Sequence, residues 1–389
     1  MTTDQITNVR IAALALLAGM FCSWPLWDVQ VRAFGFPVLP LIESWGPVSG
    51  GLARWMAVFM TLLLGVVVFF PLRRMLIGCV IAFLALLCIL DLNRLQPWVW
   101  LYLLVFVLAF FDSDDASYRY LLAAVYFWSG FHKLTPYFAE DNFQWFCSAF
   151  PSTEPLGHYP ILGYAIALLE MSFAFGLLWS RTRRWIKWVV ISFHTVILLA
   201  LSPLGYNWNL VVVPWNLAIM ALVWVQSRPP AQSDQKVAPL NARFQGFHAS
   251  GLPGYLVLLL ACGAPALNIA GLWPHPLSWQ LYTNTQPEGT FYVQGQATFR
   301  TRPAAEVWNH FTSPDDSTRL YLDDWAMRSL QVPLFPSERT FRQTAKYLCG
   351  CLQQPDSAGL YILRVNRWDR SAEQVVKIPC PELLKSGPP

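Results

Sequence analysis

Charge is what this chain has least of: only 13% of its 389 residues are Asp, Glu, Lys or Arg, about half the ~25% usual in soluble domains. That scarcity excludes an ordinary soluble globular protein. The net charge of +4 comes from scattered arginines without a long basic run, which leaves no electrostatic footprint for nucleic acid. There is no glycine-rich phosphate loop, no internal repeat and no low-complexity tract. Asn-x-Ser/Thr acceptors are missing too, which favours a bacterial membrane over a secretory one. The eight cysteines never fall into a zinc spacing. No histidine stands near the aspartates at 112, 114 and 115, so that cluster reads as a solvated loop and no metal is expected.

What fills the space is apolar. The chain is 55% hydrophobic with a mean hydropathy of +0.39. At ~20 residues per helical span, about nine stretches qualify: 9–27, 52–71, 75–92, 97–111, 118–135, 160–180, 185–202, 208–226 and 253–271. The expected fold is an all-α polytopic membrane bundle over 1–272, followed by a small α+β extracytoplasmic domain over 273–389. In that tail, strand-like Thr290–Phe299, Leu360–Val365 and Gln374–Ile378 alternate with a helical pattern around Thr340–Leu352. Residues 136–159 mix acids and aromatics as an interfacial helix does, and 227–250 has the composition of a flexible linker.

Basic residues set the expected orientation, because short Lys/Arg-rich loops stay in the cytoplasm. Arg10, Arg73, Arg74, Arg119, Arg181, Arg183, Arg184, Lys187, Arg228, Lys236 and Arg243 fall on one side of nine alternating spans. The N-terminus is therefore expected in the cytoplasm and the C-terminal domain outside a bacterial inner membrane. Nothing like an Ala-x-Ala cleavage site follows the first span, which reads as a retained anchor. The expected partners are the lipid bilayer and an extracytoplasmic protein held through 273–389, with no nucleic acid.

Lys133 ends an apolar run, and an ammonium in hydrocarbon costs roughly 2.5–3.5 kcal/mol on insertion scales, so such lysines pair, snorkel or do chemistry. Tyr126, Gly130 and Lys133 fall at i, i+4 and i+7 and share a helix face. The glycine would let a helix or a flat ligand approach the backbone, flanked by phenol and amine. An amine kept neutral by burial can take a proton as a general base; the other reading is a lysine that snorkels outward. Glu170 and His194 each lie about twelve residues from the turn at 181–184, level on neighbouring helices, as a proton relay or as a structural hydrogen bond. Asn207, Asn209 and Asn216 make the eighth span unusually polar, as a cavity-facing helix is. Cys22, Cys79, Cys88 and Cys262 lie in spans and read as small apolar residues. Among Cys349, Cys351 and Cys380 a bridge to Cys380 is one option, whereas the adjacent C-x-C pair is too strained to close on itself.

Tyr126-Phe127-x-x-Gly130-x-x-Lys133-Leu134 resembles the motif of the vitamin K-dependent γ-carboxylase family and its bacterial relatives, the HTTM proteins. Phe193-His194, followed by Pro214, is similar to a second element of that family, and the likeness covers roughly 88–226. It implies Lys133 as catalytic base with His194 also catalytic. Tyr126, Gly130, His132, Glu170 and Asn216 would be ligand contacts in an outer-leaflet cavity for a quinone or hydroquinone. In that scheme Tyr126 and His194 position the ring and Glu170 orients His194. Gln96-Pro97-Trp98-Val99-Trp100 stands where the family carries a histidine, and Tyr137-Phe138 replaces a tryptophan. Pro265-Ala266-Leu267-Asn268, Gly271-Leu272-Trp273 and Leu281-Tyr282 also resemble the DoxX/MauE-like group. That second likeness implies a redox accessory protein working through Cys349, Cys351 or Cys380; a non-catalytic subunit or assembly factor is the third expectation.

Overall fold

The computed structural model describes residues 1–228, 251–295, 297–311 and 318–385; most of the expected linker, from residue 229 to 250, lies outside the described residues. Eight helices occupy the first part of the chain: α1 (Thr3–Cys22), α2 (Gly50–Phe69), α3 (Arg74–Leu90), α4 (Pro97–Phe110), α5 (Asp115–His132), α6 (Pro160–Leu178), α7 (Arg183–Leu201) and α8 (Val212–Gln226). Four of them, α1, α2, α6 and α7, are long and apolar enough to cross a membrane. Nine spans are not confirmed.

The shortfall has local causes. Helices α3, α4 and α8 are apolar but hold 17, 14 and 15 residues, about 21–26 Å at 1.5 Å per residue against a ~30 Å hydrocarbon core. Helix α5 carries Asp115 and Arg119 in its first turns, and Asp114 caps it by accepting from the Ser117 amide. The stretch expected as a ninth span starts as α9 (Gly251–Leu258), widens into a π-helical turn at Leu259–Gly263 and tightens into a 3-10 helix at Ala264–Ala270. Helix α1 ends at Cys22, and Pro25 belongs to a separate short turn, Trp24–Trp27. The segment expected as one interfacial helix is broken into a π-helical turn (Tyr137–Asn142), a short helix (Phe143–Cys147) and a 3-10 turn (Glu154–His158).

The chain forms two compact units, and the division differs from the single boundary expected after residue 272. The first comprises Met1–Gly19, Thr61–Ala82 and Pro97–Asn284; the second comprises Met20–Met60, Phe83–Gln96 and Thr285–Pro389. Buried polar bonds explain why early segments belong with the tail. Arg32 and Asp91 form an ion pair with side chains 1% and 0% exposed. Arg32 also donates to the carbonyls of Pro25, Leu26 and Pro37. Arg94 donates to those of Leu26, Trp27 and Leu87. Asn93 accepts from the Phe335 amide at 3.2 Å, and Gln96 donates to the Pro333 carbonyl at 3.0 Å.

Within the second unit, β1 (Glu288–Val293), β2 (Arg319–Tyr321), β3 (Ala358–Arg364) and β4 (Gln374–Pro379) form an antiparallel sheet in the order β2-β1-β3-β4. Phe291, Leu320, Leu360 and Ile362 alternate onto one fully buried face. Strand β1 stops short of the expected Phe299, and Gly295 turns the chain at φ +87°. Helices α10 (Arg302–Phe311), α11 (Leu322–Leu330), α12 (Glu338–Cys351) and α13 (Cys380–Lys385) complete the unit. Ser337 and Thr340 form a capping box at the start of α12. Cys349 is bonded to Cys380, while Cys351 keeps a free thiol.

Candidate functional site

The first unit is built around the pair α5 and α6. A β-carbon placed on Gly130 would lie 2.5 Å from the Met171 amide nitrogen and 2.6 Å from the Ala167 carbonyl oxygen. The glycine therefore serves close backbone packing: of the helix or flat ligand that its position admits, helix α6 is the one that lies against it. That approach brings the last turn of α5 alongside Glu170.

Lys133 sits at the C-terminal cap of α5 and does not snorkel. Its Nζ lies 2.8 Å from Glu170 Oε2, with the two side chains each 8% exposed. The same nitrogen donates to Ser129 Oγ at 2.7 Å, one turn earlier on the helix, and lies 5.9 Å from the centre of the Phe138 ring. The amine is thus held by a carboxylate, a hydroxyl and an aromatic face. The amine is therefore partnered, where the general-base reading needs one that faces a pocket. An ammonium and a carboxylate at this separation compensate each other in a low-dielectric interior, where either alone would cost several kcal/mol.

His194, on α7, is the second centre. Tyr126 Oη lies 2.9 Å from its Nε2, and Asn216 Oδ1 lies 2.6 Å from its Nδ1. Asn216 spends its amide nitrogen on the Val212 carbonyl at 2.7 Å, so Oδ1 is the atom left to accept from Nδ1–H. In the neutral ring Nε2 then accepts from the Tyr126 hydroxyl. Asn216 orients His194, a role the sequence reading had given to Glu170; Glu170 is engaged by Lys133. Phe173 packs edge-on against both Tyr126 and Phe193, at 5.5 Å and 5.3 Å between ring centres.

No protein-family model, curated protein or solved structure matches the chain. The site is therefore read from its own geometry. Two clusters stand on adjoining helices: Ser129–Lys133–Glu170 across α5 and α6, and Tyr126–His194–Asn216 across α5, α7 and α8. His132 is fully buried and stacks on Trp128 at 5.6 Å between ring centres; it joins neither cluster through the bonds above. Cys349, Cys351 and Cys380 belong to the other unit. Among the described residues, no group of three His, Cys, Asp or Glu side chains is arranged to hold a metal ion.

Ser129 and Phe138 are the members that sequence reasoning missed. Ser129 had a legible signal, since it stands four residues before Lys133 and so lies on the same helix face. Phe138 had none, because its ring reaches the amine only after the chain has turned past the end of α5.

Proposed function

We propose that this chain is an integral membrane protein whose buried centre handles protons for a quinol or similar lipid-soluble molecule. The observation that carries the reading is the Lys133–Glu170 contact at 2.8 Å inside an apolar helical bundle, backed by the Ser129 hydroxyl. Intramembrane ionisable residues pair with one another and mark proton relays and substrate paths, and a buried pair is weak evidence for stability. In this proposal Glu170 is the group that receives a proton and Lys133 is the fixed counter-charge. The Tyr126–His194–Asn216 chain supplies a phenol and an imidazole that can polarise the hydroxyl of the bound ring. A hydroquinone that loses its protons becomes easier to oxidise, and dioxygen is the oxidant implied by the γ-carboxylase and HTTM resemblance. The finer picture of nine spans, a cytoplasmic N-terminus and an extracytoplasmic tail in a bacterial inner membrane is part of the same proposal.

A second reading has its own support. The backbone approach at Gly130 makes the ion pair a candidate clamp between α5 and α6 with no chemistry. One experiment separates the two. Purified protein is given a reduced short-chain quinol in air, and quinol loss and oxygen uptake are followed for the parent, Glu170→Gln and the paired variant Lys133→Met with Glu170→Leu. The proton-handling reading expects both variants to fold and to lose turnover above the uncatalysed rate. Turnover retained by the apolar pair would leave only the clamp.

A further inference from the structure

Among the buried side-chain atoms of the first unit that have no hydrogen-bond partner among the described residues, seven belong to five uncharged polar side chains near the first turns of α1 and α5 and the end of α8. They are both amide atoms of Asn8 and of Gln226, and the hydroxyls of Ser113, Tyr118 and Ser227. Their residues are between 0% and 3% exposed. A buried polar group left open costs about as much as a lost hydrogen bond, so seven at one place call for an explanation.

The bonds around them show that they converge. At the first turn of α1, Gln5 donates to the Ser113 carbonyl at 2.7 Å, Thr2 donates to Asp115 at 3.2 Å, and Asp4 pairs with Arg228 at 3.1 Å. Asp4 thus points toward the end of α8 and Gln5 toward the turn that precedes α5. At about 100° per residue, Asn8 projects about 40° from Asp4 and about 60° from Gln5, hence between them and one turn further along. Tyr118 follows Asp115 by three residues and so shares its face, also one turn deeper. Gln226 and Ser227 immediately precede Arg228. Asn8 and Tyr118 therefore face the space between the first turns of α1 and α5, with Ser113 at its edge, and the end of α8 that carries Gln226 and Ser227 is tied to the same turn of α1 through Arg228 and Asp4.

We infer that this space is a built site for a neutral, hydrogen-bonding guest. Two carboxamides, a phenol and two hydroxyls offer both donors and acceptors but no charge, which suits bound water, or a carbonyl- or hydroxyl-bearing head that displaces it. At about three hydrogen bonds per buried water, seven open atoms correspond to two or three waters. The site stands independently of the Lys133–Glu170 centre.

The test uses the full chain purified in detergent. A density map at a resolution that shows water is expected to contain non-protein density within hydrogen-bond distance of at least two of Asn8, Tyr118 and Gln226. Separate spheres would identify water and a continuous planar feature an organic head, and either supports the inference. Asn8 and Gln226 bonded directly to each other or to neighbouring side chains, with nothing between, would overturn it. A second measurement covers poor maps: Asn8→Leu and Gln226→Leu, made singly, are each expected to lower Tm, because the guest loses a partner. A rise in Tm for both would mean dry, unmatched groups and would also overturn the inference.

Discussion

The buried ion pair permits a quantitative check through a double-mutant cycle on Lys133 and Glu170. With both side chains 8% exposed, removing one partner leaves the other charge in an apolar interior. Such breakage costs about 3–5 kcal/mol, whereas replacing both members by apolar groups of similar volume is near neutral or mildly stabilising. Lys133→Met is therefore expected to destabilise by about 3–5 kcal/mol, and Glu170→Leu by a similar amount. The paired variant should return to within about 1–2 kcal/mol of the parent, for a coupling energy well above the ~0.5 kcal/mol that marks independent sites. Ser129 moderates the Glu170→Leu loss, since it still accepts from the amine at 2.7 Å. The assay is thermal unfolding in detergent, followed by the fluorescence of the 19 tryptophans. Additive single effects, or a paired variant no better than either single one, would refute the reasoning that the two charges compensate each other.

Other expectations follow from separate contacts. Gly130→Ala should lower Tm sharply because the new methyl meets backbone atoms at 2.5–2.6 Å, whereas Gly51→Ala, with open space around it, should leave Tm unchanged or slightly raised; equal effects would remove the close-packing argument. Arg32→Leu leaves Asp91 buried and unpaired at a cost of about 3–5 kcal/mol, to be read as faster limited proteolysis of the second unit. Replacing Cys349 and Cys380 by serine should cost about 3–4 kcal/mol for a loop of this size, and non-reducing peptide mapping of the parent should recover a Cys349–Cys380 linked pair. Asn216→Leu removes the acceptor on His194 Nδ1, which should shift that ring proton's NMR resonance while leaving the Lys133–Glu170 coupling intact.

Apolar runs made the helical content legible, because hydrocarbon-length segments need no tertiary information to be recognised. Their number was less legible: α4 and α8 fall short by a few residues, a difference that depends on where Pro97 starts one helix and where Val212 starts the other. The strands at 358–364 and 374–379 were visible as alternating patterns. Strand β2, with three residues, is too short to carry a period. At the site, Lys133, Glu170, Tyr126, His194 and Asn216 could all be picked out as costly polar groups in apolar surroundings. Their pairing could not, because it depends on how far α6 slides along α5, and the Gly130 approach to Ala167 and Met171 sets that slide. Assigning Glu170 to His194 on depth alone ignored that a nearer cation would claim the carboxylate first. Nothing in the spacing of Arg32, Asp91 and Arg94 marks the buried partners they find, since Arg32 and Asp91 stand 59 positions apart.

The carboxamide of Asn216 also sets a direction. An amide neither surrenders nor gains a proton under ordinary conditions, so a charge carried onto the imidazole has no onward route through α8. It must leave the way it came, through the phenol of Tyr126. In the proposed proton-handling scheme the hydrogen-bonded string across three helices is thus a cul-de-sac, open only at the phenol.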